Sequence, residues 1–309
     1  MAQGNVFTQY RDSLLAQYRE AGLTGDDYAV VAAMTLGDKT ALTREVRETF
    51  NTTGGSHVLA LSGLHLGIIY MLLTMVVPNH HWRMATQIVT IAAIWAFAML
   101  TGMAPSIVRA AVMLTIYGLL ALGFRRKASI RVLLVTAFGM LVFNPRLLFS
   151  VSFQLSFGAV GGIVLFMPLM YDALPAHWLQ RHTMLHWLWG MVAVSCAAQV
   201  TVAPLIAFYF HRLPVWFLLT NFVVVPCAYI IIIGALLLLL THAALVADAL
   251  SATVRLMMGG LEKIASLPAA CIGDLYPSVV QVALIYLAIA CFYIFFRTFA
   301  GRNNIRHTR

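Results

Sequence analysis

The sequence predicts an all-α fold: a polytopic transmembrane helical bundle of about eight spans, preceded by an N-terminal amphipathic, interfacial helical segment. Of the 309 residues, 61% are hydrophobic and only 10% are charged, whereas soluble domains are about a quarter charged. Several apolar runs also reach the roughly 17 to 25 residues that a helix needs to cross a bilayer. An integral membrane protein follows from these two observations.

Residues 1–55 predict short helices that lie at the membrane surface. Apolar residues recur there at three- and four-residue spacing between charged ones, which is typical of an amphipathic helix. The residues with this spacing are Phe7, Tyr10, Leu14, Tyr18 and Ala21. This first helix could also pack under the bundle or join a preceding domain. A second helix is expected between Thr24 and Gly37, and a third from Thr43.

Residues 56–297 predict the membrane domain, and residues 298–309 a basic tail. The expected spans are about 56–77, 85–102, 106–123, 131–148, 151–170, 187–210, 215–245 and 278–297. Pro226 predicts that the seventh span is long, kinked or split. Residues 248–276 carry several charges and predict an amphipathic or re-entrant piece.

The charge distribution predicts orientation. The net charge is +9, but residues 1–55 hold five Lys and Arg against seven Asp and Glu. Basic residues cluster in the loop 124–131, which should therefore face the cytoplasm and put residues 1–55 on the opposite side. Eight spans would then leave the basic tail outside, against the rule, and a ninth crossing is the alternative.

Polar side chains open the first span. On one continuous helix, His57, Ser62 and His65 would fall within an arc of roughly 140° and share a face. Lipid penalises such a face, so it should point into the bundle or toward water. Gly63 and Gly67 would lie on another side, where they would let a neighbouring helix approach closely.

Arg109 stands in an apolar span, four residues after Pro105. A central arginine costs about 2.5 to 3.5 kcal/mol on insertion scales. Two interpretations stay open: the guanidinium snorkels or binds a helix-end carbonyl, or it contacts an anionic solute in a lumen.

Later spans repeat the mixture of polar and small residues. Gln154, Gly158 and Gly162 recur at four-residue intervals, so the two glycines predict tight helix packing while Gln154 needs a hydrogen-bonding partner. Asn221 precedes Pro226, and prolines in spans free backbone carbonyls that polar groups must satisfy.

The sequence favours no enzyme, metal site or cofactor. Ser62 and His65 could form a nucleophile and base, but no acid nearby would orient the histidine. His182 and His186 have metal-ligand spacing without a neighbouring carboxylate or cysteine. Residues 36–40 lack the glycine of a phosphate-binding loop.

The stretch GGSHVLALSGLHLG, residues 54–67, resembles the signature that opens the channel domain of the ComEC competence family. Further family elements follow in order between about residues 30 and 290. They are Gly37-Asp38-Lys39, Pro105-Ser106 with Arg109-Ala110, Asn144-Pro145, Phe153 to Phe157, Pro204-Leu205, and Asn221 with Pro226.

The resemblance implies an inner-membrane channel that passes single-stranded DNA into the cytoplasm during natural transformation of bacteria. The implied partners are single-stranded DNA, the lipid bilayer, a cytoplasmic helicase-like motor and an external DNA receptor; a homodimer is a further option. Family members often add an OB-like domain and a nuclease domain. Neither is expected here, so the chain should be the channel core or a fragment.

We therefore expect one hydrated path with scattered donors, because fixed deep positive charge would trap a polyanion. The residues expected to line it are His57, Ser62, His65, Arg109, Gln154 and Asn221. The alternative function is a transporter or channel for a small anionic metabolite, with Arg109 as the anchor.

Overall fold

The prediction of an all-α fold is confirmed. A computed structural model of the protein describes residues 6–76, 83–122, 129–171, 173–174 and 181–306. Helices dominate these ranges, and two short strands, β1 (Leu213–Pro214) and β2 (Cys271–Ile272), pair with each other. The basic residues Arg125, Arg126 and Lys127, which predicted the orientation, lie outside the described ranges.

The helices are numbered in chain order. Their bounds are α1 Val6–Glu20, α2 Gly25–Leu36, α3 Arg44–Thr53, α4 Ser56–Leu59, α5 Gly63–Val76, α6 Arg83–Leu100, α7 Pro105–Leu122, α8 Ser129–Phe143, a 3-10 helix Pro145–Phe149, α9 Val151–Tyr171, α10 Thr183–Phe210, α11 Phe217–Thr241, α12 Ala244–Ala265 and α13 Val279–Arg306.

Within the described ranges, five helices are long and apolar enough to cross a membrane: α9, α10, α11, α12 and the Val279–Thr298 part of α13. Helices α5 to α8 are also apolar but shorter. The count of eight spans stays a prediction.

The seventh span is one long helix, α11, with Pro226 inside it, which agrees with the first of the three expected alternatives. It ends at Thr241 because His242 adopts a left-handed conformation with φ of 54°. Where an amphipathic or re-entrant piece was expected at 248–276, the continuous helix α12 begins at Ala244 and is one of the five candidate spans.

The N-terminal helices begin and end where their caps predict. Gly37 adopts a left-handed conformation with φ of 73°, and the next amide, Asp38 N, donates to Ala32 O, which closes the C-terminal end of α2. The Thr43 hydroxyl accepts from Val46 N and caps the start of α3. Gly54, with φ of 82°, ends α3.

The first of two compact units comprises residues 1–136 and 214–271. Its core surrounds α2, whose residues 28–36 are all buried and which packs against α1, α11 and α12. Tyr18 of α1 is hydrogen-bonded to Thr35 at 3.2 Å, and burial raises the pKa of Tyr18 to about 12 against the opposing effect of that bond. The expectation that α1 lies in the membrane interface stays a prediction.

The second unit comprises residues 137–213 and 272–309. Helices α9 and α10 pack along each other, and α13 packs on α10. Tyr286 of α13 donates to Thr201 O of α10 at 2.6 Å. The remaining surface of α13 is exposed and apolar, which suits contact with lipid.

Candidate functional site

The first polar stretch is not one helix. Helix α4 ends at Leu59, Ala60 is extended with ψ of 132°, and α5 begins at Gly63. The expected shared face of His57, Ser62 and His65 is therefore wrong, because the chain leaves the helical conformation between them. We call residues Ala60 to Ser62 the break.

Ser62 and His65 form the cap that begins α5. The backbone N–H of Ser62 donates to His65 Nδ1 at 3.2 Å, and the Ser62 hydroxyl lies 3.2 Å from the same nitrogen. This is the backward half of a capping box, in which the third residue of the helix accepts from the N-cap amide. The cap occupies the lone pair that a general base would need, which weakens the interpretation of the pair as a hydrolase.

The two histidines lie in different surroundings. His57 is exposed, and its Nδ1 lies 2.9 Å from Gly54 O. Only 1% of His65 is exposed. The structure therefore separates one surface imidazole from one enclosed imidazole.

Helix α7 contacts the break through a hydrogen bond from Ser106. The Ser106 hydroxyl donates to Leu61 O at 2.6 Å, so a carbonyl that the break would leave free is satisfied. A Cβ added to Gly63 would lie 3.6 Å from Ala110 Cβ, which is ordinary van der Waals contact. The start of α5 thus packs against the first two turns of α7.

A third segment reaches the break from α2. A Cβ added to Gly37 would lie 2.6 Å from Leu61 Cδ1, and Gly37 has a positive φ, so no other residue fits there without strain. The segments 37–40, 54–65 and 105–110, which are far apart in sequence, therefore meet at Leu61. Sequence reasoning noticed their order but did not assign Gly37, Leu61 or Ser106 to the site.

Residues 38–40 form a turn beside this contact. Asp38 Oδ1 accepts from the Thr40 amide at 3.0 Å and from the Thr40 hydroxyl at 2.7 Å. Burial would raise the pKa of Asp38, but these two bonds, with the charges of Arg11 and Arg19, lower it below its usual value. The carboxylate is therefore part of the turn and not a phosphate-binding element.

Arg109 is enclosed in the first unit. It lies on α7, one turn after Pro105, and only 2% of it is exposed. Such burial disagrees with a guanidinium that snorkels to the surface. The Arg109 guanidinium is instead buried in the first unit, which also contains His65.

Helix α6 adds buried polar residues that sequence reasoning missed. Gln87 and Thr90 of α6, and Thr101 just after its end, are at most 8% exposed. Tyr70 of α5 donates to Gln87 Oε1 at 3.3 Å. The signal was available for Gln87 and Thr90, because residues three apart lie on one face of a helix.

Asn221 is half-buried in α11, in the first unit. Its neighbour Thr220 makes the contact to the start of the signature: the Thr220 hydroxyl donates to Thr53 O at 2.9 Å. A Cβ added to Gly55 would lie 3.6 Å from Thr220 Cγ2. Thr220 is thus one contact of Gly55, beside the nearer Phe50, and sequence reasoning did not select it.

Gln154 lies in the second unit, whereas the other five expected path residues lie in the first. Its Nε2 donates to Leu148 O at 2.9 Å, and its Oε1 accepts from Tyr209 at 2.8 Å. Both ends of the amide are therefore bonded within that unit.

The four glycines differ in their packing. A Cβ on Gly162 would collide with Ala197 O and Thr201, whereas one on Gly158 would make ordinary contact at 3.9 Å. At Gly67 no described atom lies within 4 Å of that position, so the expectation of a close helix approach there is wrong.

A family model described as "Competence protein" matches residues 34–299. The chain is 29% identical to ComE operon protein 3 of Bacillus subtilis (strain 168) over 66% of this chain and 25% of that protein. It is 35% identical to an "Uncharacterized protein" of Aquifex aeolicus (strain VF5) over 50% of this chain and 37% of the relative. It is 23% identical to "Uncharacterized protein YcaI" of Escherichia coli (strain K12) over 68% of this chain and 28% of that protein.

The chain thus spans between a quarter and about two fifths of the length of these relatives. No solved structure matches.

Proposed function

The chain belongs to the competence protein family, and we propose that it acts in DNA uptake as an inner-membrane channel passing single-stranded DNA into the cytoplasm during natural transformation. The proposal draws on the family, on the printed name of the Bacillus subtilis relative, and on five helices able to cross a membrane. The same proposal includes a cytoplasmic helicase-like motor and an external DNA receptor as partners, and no catalytic step by this chain.

The observation that carries the proposal is the meeting of three family segments at one break inside an apolar helix group. Breaks in membrane helices are tolerated where the free backbone groups line a cavity or are satisfied by neighbours. Here Leu61 O is satisfied by Ser106, and Gly63, the first residue of α5, is exposed. The first turn of α5, directly after the break, therefore offers His65 Nε2, which has no partner among the described residues, as a side-chain donor.

The composition of the site suits a sequence-independent polyanion. Its polar groups are mostly neutral: Ser62, His65 and Gln87, with Arg109 as a buried cation. Scattered donors allow phosphates to move from one contact to the next, whereas many fixed cations would retain the strand. The path that we propose runs along α5 to α7 and excludes Gln154, because both ends of its amide are bonded elsewhere.

The test measures internalisation of labelled DNA by transformable cells that carry Arg109→Ala in the chromosomal gene. Arg146→Ala is the matched control, because Arg146 is an exposed arginine outside the site. With membrane levels verified as equal, we expect DNase-protected DNA to fall to background for Arg109→Ala and to stay normal for Arg146→Ala. Normal uptake by the Arg109 variant would overturn the assignment of the path.

A further inference from the structure

The imidazole of His65 carries a proton that no described atom accepts. The Ser62 amide lies 3.2 Å from His65 Nδ1, and an amide N–H can only donate. Nδ1 is therefore the acceptor, and the proton of the neutral ring is on Nε2. Nε2 has no hydrogen-bond partner among the described residues, although the side chain is almost fully enclosed.

This N–H lies in the first turn of α5, a helix of 14 residues. The first N–H groups of a helix form its positive end. His65 N already donates to Ser62 O at 3.1 Å, so the amides of Gly63 and Leu64 are the first-turn donors that remain among the described residues. The Ser62 hydroxyl, which often caps such groups, lies instead against His65 Nδ1. Gly63 is exposed, so an acceptor from outside can approach the start of the helix.

We propose that the start of α5 binds a phosphodiester oxygen of the DNA backbone, with His65 Nε2–H and the first-turn amides as donors. The inference rests on the proposed function and names the group that the break would recognise. Helix N-termini favour anionic oxygens over neutral ones.

The contact is independent of base sequence, because it is made to the backbone alone. In this proposal the two ring nitrogens of His65 have different roles. Nδ1 accepts the cap bond of α5, whereas Nε2 faces the ligand, so a purely structural histidine and a binding histidine predict different effects of two substitutions.

His65→Asn places a carbonyl oxygen near the position of Nδ1 and keeps the acceptor for the Ser62 amide, but it has no donor at Nε2. His65→Gln places an N–H near the position of Nε2, and its carbonyl oxygen can accept from the Ser62 amide, as glutamine does at the third position of a capping box. We expect both variants to keep thermal stability. The Asn variant should lose binding, and the Gln variant should keep most of it.

The measurement uses the full chain in nanodiscs and a fluorescent oligothymidine of about 12 nucleotides, within the site sizes of single-strand binding proteins. The same oligonucleotide with an uncharged methylphosphonate backbone is the ligand control. We expect the wild type to prefer the phosphodiester form. His65→Asn should weaken its affinity for that form about tenfold, as for loss of one hydrogen bond to a charged acceptor, with little change for the uncharged form.

The outcomes separate this inference from the proposed function. Binding by the wild type that is unchanged in His65→Asn overturns the phosphodiester site and leaves the channel proposal intact. Weaker binding by His65→Gln than by His65→Asn also overturns the site, since the variant that keeps a donor near Nε2 would then bind less well than the one that lacks it. Failure of the wild type to bind the phosphodiester oligonucleotide overturns the proposed function, and this inference with it.

Discussion

Polar residues in apolar helices serve different purposes in the two units. In the second unit, Gln154 is bonded at both ends, and the Thr201 hydroxyl donates to Gly158 O at 2.7 Å. In the first unit, the enclosed Nε2 atoms of His65 and Gln87 have no partner among the described residues. The comparison shows that a polar side chain is not a candidate binding group merely because it is polar. A side chain whose donors are all hydrogen-bonded serves packing, whereas one with an unbonded buried donor can bind a ligand.

The largest expected effect concerns packing in the second unit. Gly162→Ala should lower the free energy of unfolding by about 3 kcal/mol, the upper end for overpacking, because one blocking atom is the backbone oxygen of Ala197. Gly158→Ala is the control, where the added methyl meets ordinary contacts and should be neutral or slightly stabilising. Unfolding by SDS titration in micelles measures both. Equal stability of the two variants would contradict this account of the α9 and α10 contact.

A smaller effect is expected at the break. Ser106→Ala leaves the enclosed Leu61 carbonyl without its hydroxyl donor, which should cost about 2 kcal/mol of unfolding free energy. Thr253→Ala is the control, since its exposed hydroxyl donates only to its own helix at Ala249 O, and a change within about 0.5 kcal/mol is expected. DNA internalisation should fall for Ser106→Ala alone. A Ser106 variant as stable and as active as the Thr253 variant would show that α7 does not hold the break.

The smallest expected effect concerns Gln154, whose bonded amide represents the second unit in this comparison. Gln154→Leu should lower the free energy of unfolding by about 1 kcal/mol, the net value of the bonds to Leu148 and Tyr209. DNA internalisation per molecule in the membrane should not change, because the side chain serves packing. Tyr209→Phe removes only the bond between Tyr209 and Gln154, so it should cost less unfolding free energy and also leave internalisation unchanged. Loss of DNA uptake in the Gln154 variant, with normal uptake in the Tyr209 variant, would show that Gln154 does belong to the DNA path.

The caps show how much of the fold local sequence can predict. Gly37 and Thr43 place the ends of α2 and α3 because their conformations and hydrogen bonds involve neighbours within a few residues. The break was missed although its signal, a serine three residues before a histidine, is also local. Histidine is not the usual third residue of a capping box, and the apolar residues around it continue a helical pattern.

The candidate site was predicted only in part. His57, Ser62, His65 and Arg109 were selected because lipid penalises such groups, a rule that needs no coordinates. Gln87 and Thr90 were passed over because single polar residues in an apolar helix are common. Which of them share one buried interior depends on helix pairing, and hydropathy does not encode pairing.

The sequence by itself determined that this chain is helical, membrane-embedded and a carrier of several polar groups in apolar segments, because composition and hydrophobic length follow directly from the residues. Only the tertiary structure decided that segments near residues 37, 61 and 106 meet. It also decided that His65 is enclosed while His57 is exposed. The physical reason is that a donor is satisfied or left open by atoms that are distant in sequence, so its role emerges only when the helices pack.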